Sequence, residues 1–427
     1  MNRPWLRLRL RLRLGLSMLL AAVTPATAID VQGVLPASMD QPRIYLALSR
    51  DVNGPPLAAK KEAGLDALAA MMGEKPDKNR EPTAVFAVEA FLDTGASGTM
   101  LSKTTADALG IKATVVDGKP MTFYDVGVAG KEAFGVTEPL RLRFAEYSGR
   151  TDGTNLGQYS KPGAPELMKI RPAGGLLEMI GGALDIAGTP LMVGRVMSVD
   201  CRPVAQFDKL RTQLLPPGDR QIPKPDVRVP LTMVDFDRFT QTEPKHAPKV
   251  TSAPNPMIGP HPFVKTDAAK PVVITHRGKS AKLTMLLDTG AAATMISTVK
   301  AKELGLLVDE DGKLKNVPAK ESFTLPIGGI GGSADVPGCF VDTLTLPAAA
   351  GEPVRYVKAP VLVKDITVVD EATGESFTLD GIFGMNYLVA SASVTGGINA
   401  GVDDIHDGAF SFFTVDFPNK VLGLKLK

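Results

Sequence analysis

One passage of this sequence occurs twice. Ala87–Ile111 reads AVEAFLDTGASGTMLSKTTADALGI, and Lys282–Leu306 reads KLTMLLDTGAAATMISTVKAKELGL. Each runs through two apolar residues, Asp-Thr-Gly-Ala, Thr-Met, an apolar residue, Ser and a short helical pattern ending in Leu-Gly. The aspartates, Asp93 and Asp288, lie 195 residues apart. A second pair of anchors keeps nearly the same spacing: Gly188, within Leu184–Leu191, matches Gly384, within Asp380–Leu388, 196 residues on. A duplication of this size constrains the fold more than any local propensity. Each copy must build the same unit, and two such units can pack about a twofold axis.

Between the anchors each copy carries a Gly-bearing segment, Asp125–Gly130 and Ile327–Gly332, followed by a strand-like run, Leu140–Phe144 and Val341–Leu346. The chain ends of the copies also match, Val196–Asp200 against Phe412–Phe417. A Pro-rich stretch separates them as a linker, 215–225, leaving an N-terminal lobe at 29–214 and a C-terminal lobe at 226–427. A chain of 427 residues suits two domains of similar size. Alternating apolar residues at Lys282–Leu287, Val341–Leu346 and Val354–Val363 predict strands, and 42 Gly with 34 Pro predict many tight turns. Helical patterning is confined to short pieces at Ala58–Met72, Lys103–Leu109 and Thr298–Leu304. The expected class is all-β. Thr154–Gly174 reads as a polar insertion in the first copy, and Thr240–Pro262 as an exposed loop.

Residues 1–28 form a secretory signal pattern, with arginines from Arg3 to Arg13, an apolar run from Leu14 to Val23 and an Ala26-Thr27-Ala28 cleavage site. Export to the periplasm or the extracellular space is expected. Without the five arginines of this segment the formal charge falls from +2 to −3, so no basic patch argues for nucleic acid. No later segment is a charge-free span, so no stable membrane insertion is expected after cleavage. Cys201 and Cys339 are either one bridge or two buried free thiols.

An aspartate just after an apolar strand is held rigidly at the edge of a core. The following glycine permits a tight turn and close backbone approach. Two such loops about a twofold axis can bring Asp93 and Asp288 face to face. Adjacent carboxylates cannot easily both ionise, so they share a proton. One can then act as base towards a water while the other donates to a carbonyl oxygen. This chemistry needs no metal and no cofactor. His246, His261, His276 and His406 are scattered, with no zinc spacing, and are expected to be surface or structural. Gly-x-Ser-x-Gly is absent, and neither Arg277–Ser280 nor Gly328–Gly332 completes a phosphate or dinucleotide motif.

Asp93-Thr94-Gly95-Ala96 and Asp288-Thr289-Gly290-Ala291 resemble the active-site loops of retropepsin-like and pepsin-like aspartic peptidases, closest to the bacterial retropepsin-like group. Leu184–Gly188 and Gly381–Gly384 resemble that family's apolar–apolar–Gly signature. The resemblance covers most of both repeats. It implies a bilobal acid-protease fold with pseudo-twofold symmetry, and catalysis of peptide-bond hydrolysis by Asp93 and Asp288. It implies support from Thr94, Gly95, Thr289, Gly290, Gly188 and Gly384, with Thr94 and Thr289 forming crossed hydrogen bonds. Flap regions would fall at Tyr124, Gly127 and Gly130, and at Gly329 and Gly332. The implied partner is a polypeptide substrate, and a monomer is sufficient because both halves lie in one chain. Alanine follows the glycine in both copies, which predicts a milder acid optimum than a hydroxyl would give. Ile186-Ala187-Gly188 lacks two bulky residues before the glycine, which predicts a less tightly packed supporting loop. A non-catalytic peptide-binding protein that retains the fold is the alternative of another class.

Overall fold

A computed structural model describes residues 28–38, 40–58, 87–127, 130–147, 158–161, 164–172, 184–202, 210–234, 259–264, 272–309, 313–369, 376–389, 391–392, 405–406 and 408–427. The export segment up to residue 27, the helical pattern at 59–72 and the loop at 240–258 lie outside them. The described residues are overwhelmingly strand. Their α-helices are the short Lys103–Ala108, Thr189–Met192 and Thr298–Glu303.

The two copies build the same strand arrangement. In the first, Val88–Leu92 pairs in parallel with Ile186–Ala187, which runs antiparallel to Met100–Ser102. Met100–Ser102 in turn lies parallel to Lys169–Arg171. In the second, Met285–Leu287, Gly381–Phe383, Met295–Ile296 and Val354–Val363 repeat that order and those directions. Met285–Leu287, leading into Asp288, is buried on both faces and so is apolar at every position, while Val88–Leu92, leading into Asp93, alternates with Glu89 exposed. The repeated serine also has a local reason. Ser102 Oγ accepts from Thr105 N at 3.1 Å and Ser297 Oγ accepts from Lys300 N at 3.2 Å, capping the two matched helices.

Each copy extends a β-hairpin next to this central set. Thr122–Gly127 pairs with Gly130–Val136, and Ser322–Gly329 pairs with the long strand Gly332–Leu346. At the tips Gly127 faces Gly130 and Gly329 faces Gly332. Gly130 and Gly332 share φ 118°, a backbone conformation open to glycine and closed to most other residues.

The sheets do not divide at the linker. Val196–Asp200 and Arg211–Leu215, from the first copy, join Phe410–Asp416, Val421–Leu426 and Val227–Val234 of the second. Ile29–Val31 adds in parallel to Val354–Tyr356 of the second copy. One apolar cluster accordingly runs through both copies, from Ile44, Leu46 and Leu92 to Leu287, Phe383 and Leu424. A second cluster lies almost wholly in the C-terminal copy, around Leu286, Met295, Leu325, Val336 and Leu362, with Ala37 of the first copy joining it.

Two expectations are corrected. Thr154–Gly174 is no simple insertion, because Lys169–Arg171 is a central strand matched to Val354–Val363. The loop after Ile186 is tightly packed. Ala187, Thr189, Leu191 and Met192 are all at 0% exposure, since the small residues let neighbouring backbone close in. Cys201 and Cys339 are free and buried, not bridged, and burial pushes the Cys339 thiol up to about 12 and the Cys201 thiol higher still. Neither is a nucleophile at ordinary pH. Among the described residues, no helix is long and apolar enough to cross a membrane.

Candidate active site

Asp93 and Asp288 each leave the end of a buried strand whose pairing fixes the backbone at the turn. Asp93 N donates to Ala187 O at 3.0 Å and Asp288 N donates to Phe383 O at 3.1 Å. The signature glycines belong to this grip. A Cβ on Gly188 would collide with the carbonyls of Gly98 and Ala96, and one on Gly384 with those of Ala293 and Ala291. Only glycine lets the supporting turn lie this close to the Asp-Thr-Gly loop.

The threonines cross between copies. Thr94 N donates to Thr289 Oγ1 at 3.1 Å, and Thr289 N donates to Thr94 Oγ1 at 3.0 Å. Thr94 Oγ1 donates to Leu287 O and Thr289 Oγ1 donates to Leu92 O, both at 2.6 Å. Each hydroxyl is therefore both donor and acceptor, and both side chains are fully buried. Four bonds lock the loops in one relative position.

That lock brings the acids together. Gly95 N donates to Asp93 Oδ1 at 2.7 Å, and Gly290 N to Asp288 Oδ1 at 2.8 Å, which turns the carboxyls towards each other. A Cβ on Gly95 would sit inside the Asp288 carboxyl, and one on Gly290 inside the Asp93 carboxyl. Each aspartate thus faces the other copy's glycine, which sets the two carboxyls side by side. Both are half-buried. Burial raises the Asp93 pKa, opposed by hydrogen bonds from Asp288 and from the N–H groups of Gly95, Ala96 and Gly290. Asp288 is raised further, by burial and then by the negative charge of Asp93 and the hydrogen bond between them. Both carboxyls are thus held above the ordinary range, and the pair shares a proton.

Of the residues expected in flaps, Gly127 and Gly130 lie at one hairpin tip, and Gly329 and Gly332 at the other. The backbone of Tyr124 lies opposite Ala133 in the first hairpin, while its side chain is outside the described residues. The hairpins meet across the copies. Arg171 pairs with Glu132 at 3.1 Å and donates to Gly329 O at 2.8 Å, and Gly331 N donates to Glu132 Oε2 at 3.0 Å.

Two supporting residues escape sequence reasoning. Gln41 Nε2 donates to Gly290 O, and the buried His261 places Nδ1 3.4 Å from Thr94 O. Backbone bonds run beside them in both copies, Ser38 N to Ala292 O and Gly259 N to Ser97 O, each at 2.8 Å. Each lobe's lead-in segment braces the opposite loop. The only available signal is the matched Gln41-Pro42 and His261-Pro262, the one just before strand Arg43–Ser49 and the other opening strand His261–Val264. His261 is thus a supporting residue of the site. His276 is buried on a distant hairpin, His246 lies outside the described residues, and for His406 only the backbone is described. No metal-holding cluster of acidic, His or Cys side chains occurs among the described residues.

No known protein family matches the chain, and no curated protein matches it. Among solved structures it is similar to the aspartic proteinase from Irpex lacteus, at 13% identity over 92% of this chain and 97% of that one, with a TM-score of 0.37. So distant a likeness adds nothing to the geometry above.

Proposed function

We propose that this chain is an exported aspartic endopeptidase of retropepsin-like type, with both halves of its site in one chain. One observation carries the reading: two half-buried carboxyls from matched loops stand side by side, each seated against the other loop's glycine. A water bound between them can be activated without metal or cofactor. Asp93 and Asp288 are general acid and base in exchangeable roles. The ionised member takes a proton from the water as the water's oxygen attacks the peptide carbonyl carbon, and the protonated member gives its proton to the carbonyl oxygen. In the resulting diol, the proton just taken passes to the leaving nitrogen. A diol hydroxyl returns a proton to the other carboxylate as the C–N bond breaks, so the pair ends as it began.

The substrate is an extended polypeptide. The two hairpins offer strand-like edges on either side of the carboxyls, suited to holding such a chain by its backbone. The arginine-rich leader at 1–28 supports export to the periplasm or outside the cell. A monomer suffices, because the crossed threonines already join two copies.

Digestion of denatured casein by the protein and by its Asp93→Asn variant tests the proposal. Loss of the general base is expected to lower the rate by about 10²–10⁴-fold. Equal activity of the two proteins would remove the peptidase reading.

A further inference from the structure

The two hairpins are joined at their tips by side chains that come from one copy only. From this we infer that Glu132 and Arg171 form a clasp on the second copy's hairpin, and that a polypeptide reaches the carboxyl pair only in the fraction of molecules where the clasp has parted. The inference rests on the peptidase reading and adds a control on substrate entry to it.

The clasp is built from charged groups and backbone. Arg171 Nε and Nη2 donate to the two oxygens of Glu132, at 3.2 and 3.1 Å. This fork-to-fork pairing fixes both side chains. Together they offer one donor and one acceptor to the opposite tip. Arg171 Nη2 donates to Gly329 O at 2.8 Å, and Glu132 Oε2 accepts from Gly331 N at 3.0 Å. Gly331 takes φ 85° in that turn, a conformation that favours glycine. Arg171 is 8% exposed and the Glu132 side chain 19%, so water screens these contacts little.

Strand register shows that the second copy does not return the grip. Gly127 facing Gly130 matches Gly329 facing Gly332, so Glu132 corresponds to Ala334. Arg171 lies opposite Ser102, the match of Ser297. Val363 lies opposite Ile296, just before Ser297, so Lys364 takes the place of Arg171. Ala334 has no carboxylate to hold a guanidinium or to accept from a backbone N–H. The first copy grips, and the second is gripped.

The clasp also lies close to the catalytic loop. Lys169 and Arg171 share one face of their strand, about 7 Å apart. Lys169 Nζ donates to Ser97 Oγ at 3.2 Å, four residues past Asp93, while Arg171 reaches the other copy. That face therefore runs from the Asp93 loop to the joined tips. A polypeptide entering between the hairpins meets the tips on its way, and the joined molecules turn it away.

The test measures association and dissociation rates of a fluorescein-labelled peptide with a central Leu-Phe, by stopped-flow anisotropy, in the Asp93→Asn protein, where turnover is blocked. Glu132→Ala gives the first copy the residue of the second. It is expected to raise the association rate about tenfold and leave dissociation unchanged. Arg171→Lys keeps the charge but loses the fork, and should raise association by less. An unchanged association rate in folded Glu132→Ala overturns the inference, as does a faster dissociation alone, which would make the clasp a clamp on bound peptide. Exchange of the Gly331 amide proton with solvent, followed by NMR in the unaltered chain, needs neither variant. It should be slowed about tenfold or more relative to an unstructured chain, and exchange at the unstructured rate overturns the clasp whether or not the variants fold. A protein that binds no peptide overturns the inference together with the peptidase reading. Casein left undigested by a protein that still binds peptide sinks only the reading, and digested casein with an unprotected Gly331 amide sinks only the clasp.

Discussion

Replacing Thr94 with Val probes whether the two lobes are held in register by the crossed hydroxyls. Valine has the shape of threonine, so no cavity opens and the change is confined to the oxygen. Thr94 Oγ1 accepts from Thr289 N at 3.0 Å and donates to Leu287 O at 2.6 Å, in a fully buried setting. The Thr289 N–H is left without this bond, at about 1–3 kcal/mol, and the Leu287 carbonyl, which has a second lone pair, loses about 1 kcal/mol. The expected destabilisation is about 2–4 kcal/mol, readable as a lower urea midpoint at unchanged slope. Thr94→Ser keeps the oxygen and loses only a methyl, at about 1 kcal/mol. The serine variant should therefore be the milder, and should retain activity that the valine variant loses. Thr289→Val should match Thr94→Val, because its bonds to Thr94 N and Leu92 O mirror the first pair. The double variant should cost less than the sum, since the first change already frees the facing loop. A Thr94→Val protein within about 1 kcal/mol of the parent, or a serine variant as damaged as the valine, would refute the reasoning.

Two further outcomes follow from the carboxyl pair. Both carboxyls are raised above the ordinary value of 3.8, chiefly by burial, so the maximum of kcat/KM against pH should lie on the mild side of that value; a maximum below about pH 3 contradicts this. The native protein also holds protons there that the unfolded chain has released. Stability should therefore fall as pH climbs from 3.8 through the raised values, and Asp288→Asn should flatten that fall while abolishing activity, as thermal melts across the range will show. Gly290→Ala would place a methyl against the Asp93 carboxyl, and its displacement should cost about 10²-fold or more in kcat; a fully active alanine variant would mean that the loops do not face each other as described.

What was legible in the sequence was whatever the duplication wrote twice in one local pattern. Asp93 and Asp288, their threonines, the glycines behind the loops and the capping serines each serve the same local purpose in both copies, so the repeat displays them together. The hairpin tips were legible for the same reason, since Gly130 and Gly332 take the same unusual φ. Gln41 and His261 were not, because the side-chain contact each makes with a loop is to the opposite copy, and no spacing within a copy encodes that contact.

Lys169 was hidden for a different reason. Hydrophobic periodicity reports burial in a lobe's own core, and this strand turns only one face to that core. Met168 and Ile170 obey the pattern, while Lys169 and Arg171 break it, so the segment reads as a polar insertion. In the second copy the same face is filled by Leu362, and the pattern there is unbroken. In a duplicated protein, then, a polar interruption in one copy against an apolar residue in the other marks a strand whose outer face packs differently in the two copies, and strand register rather than periodicity reveals the match.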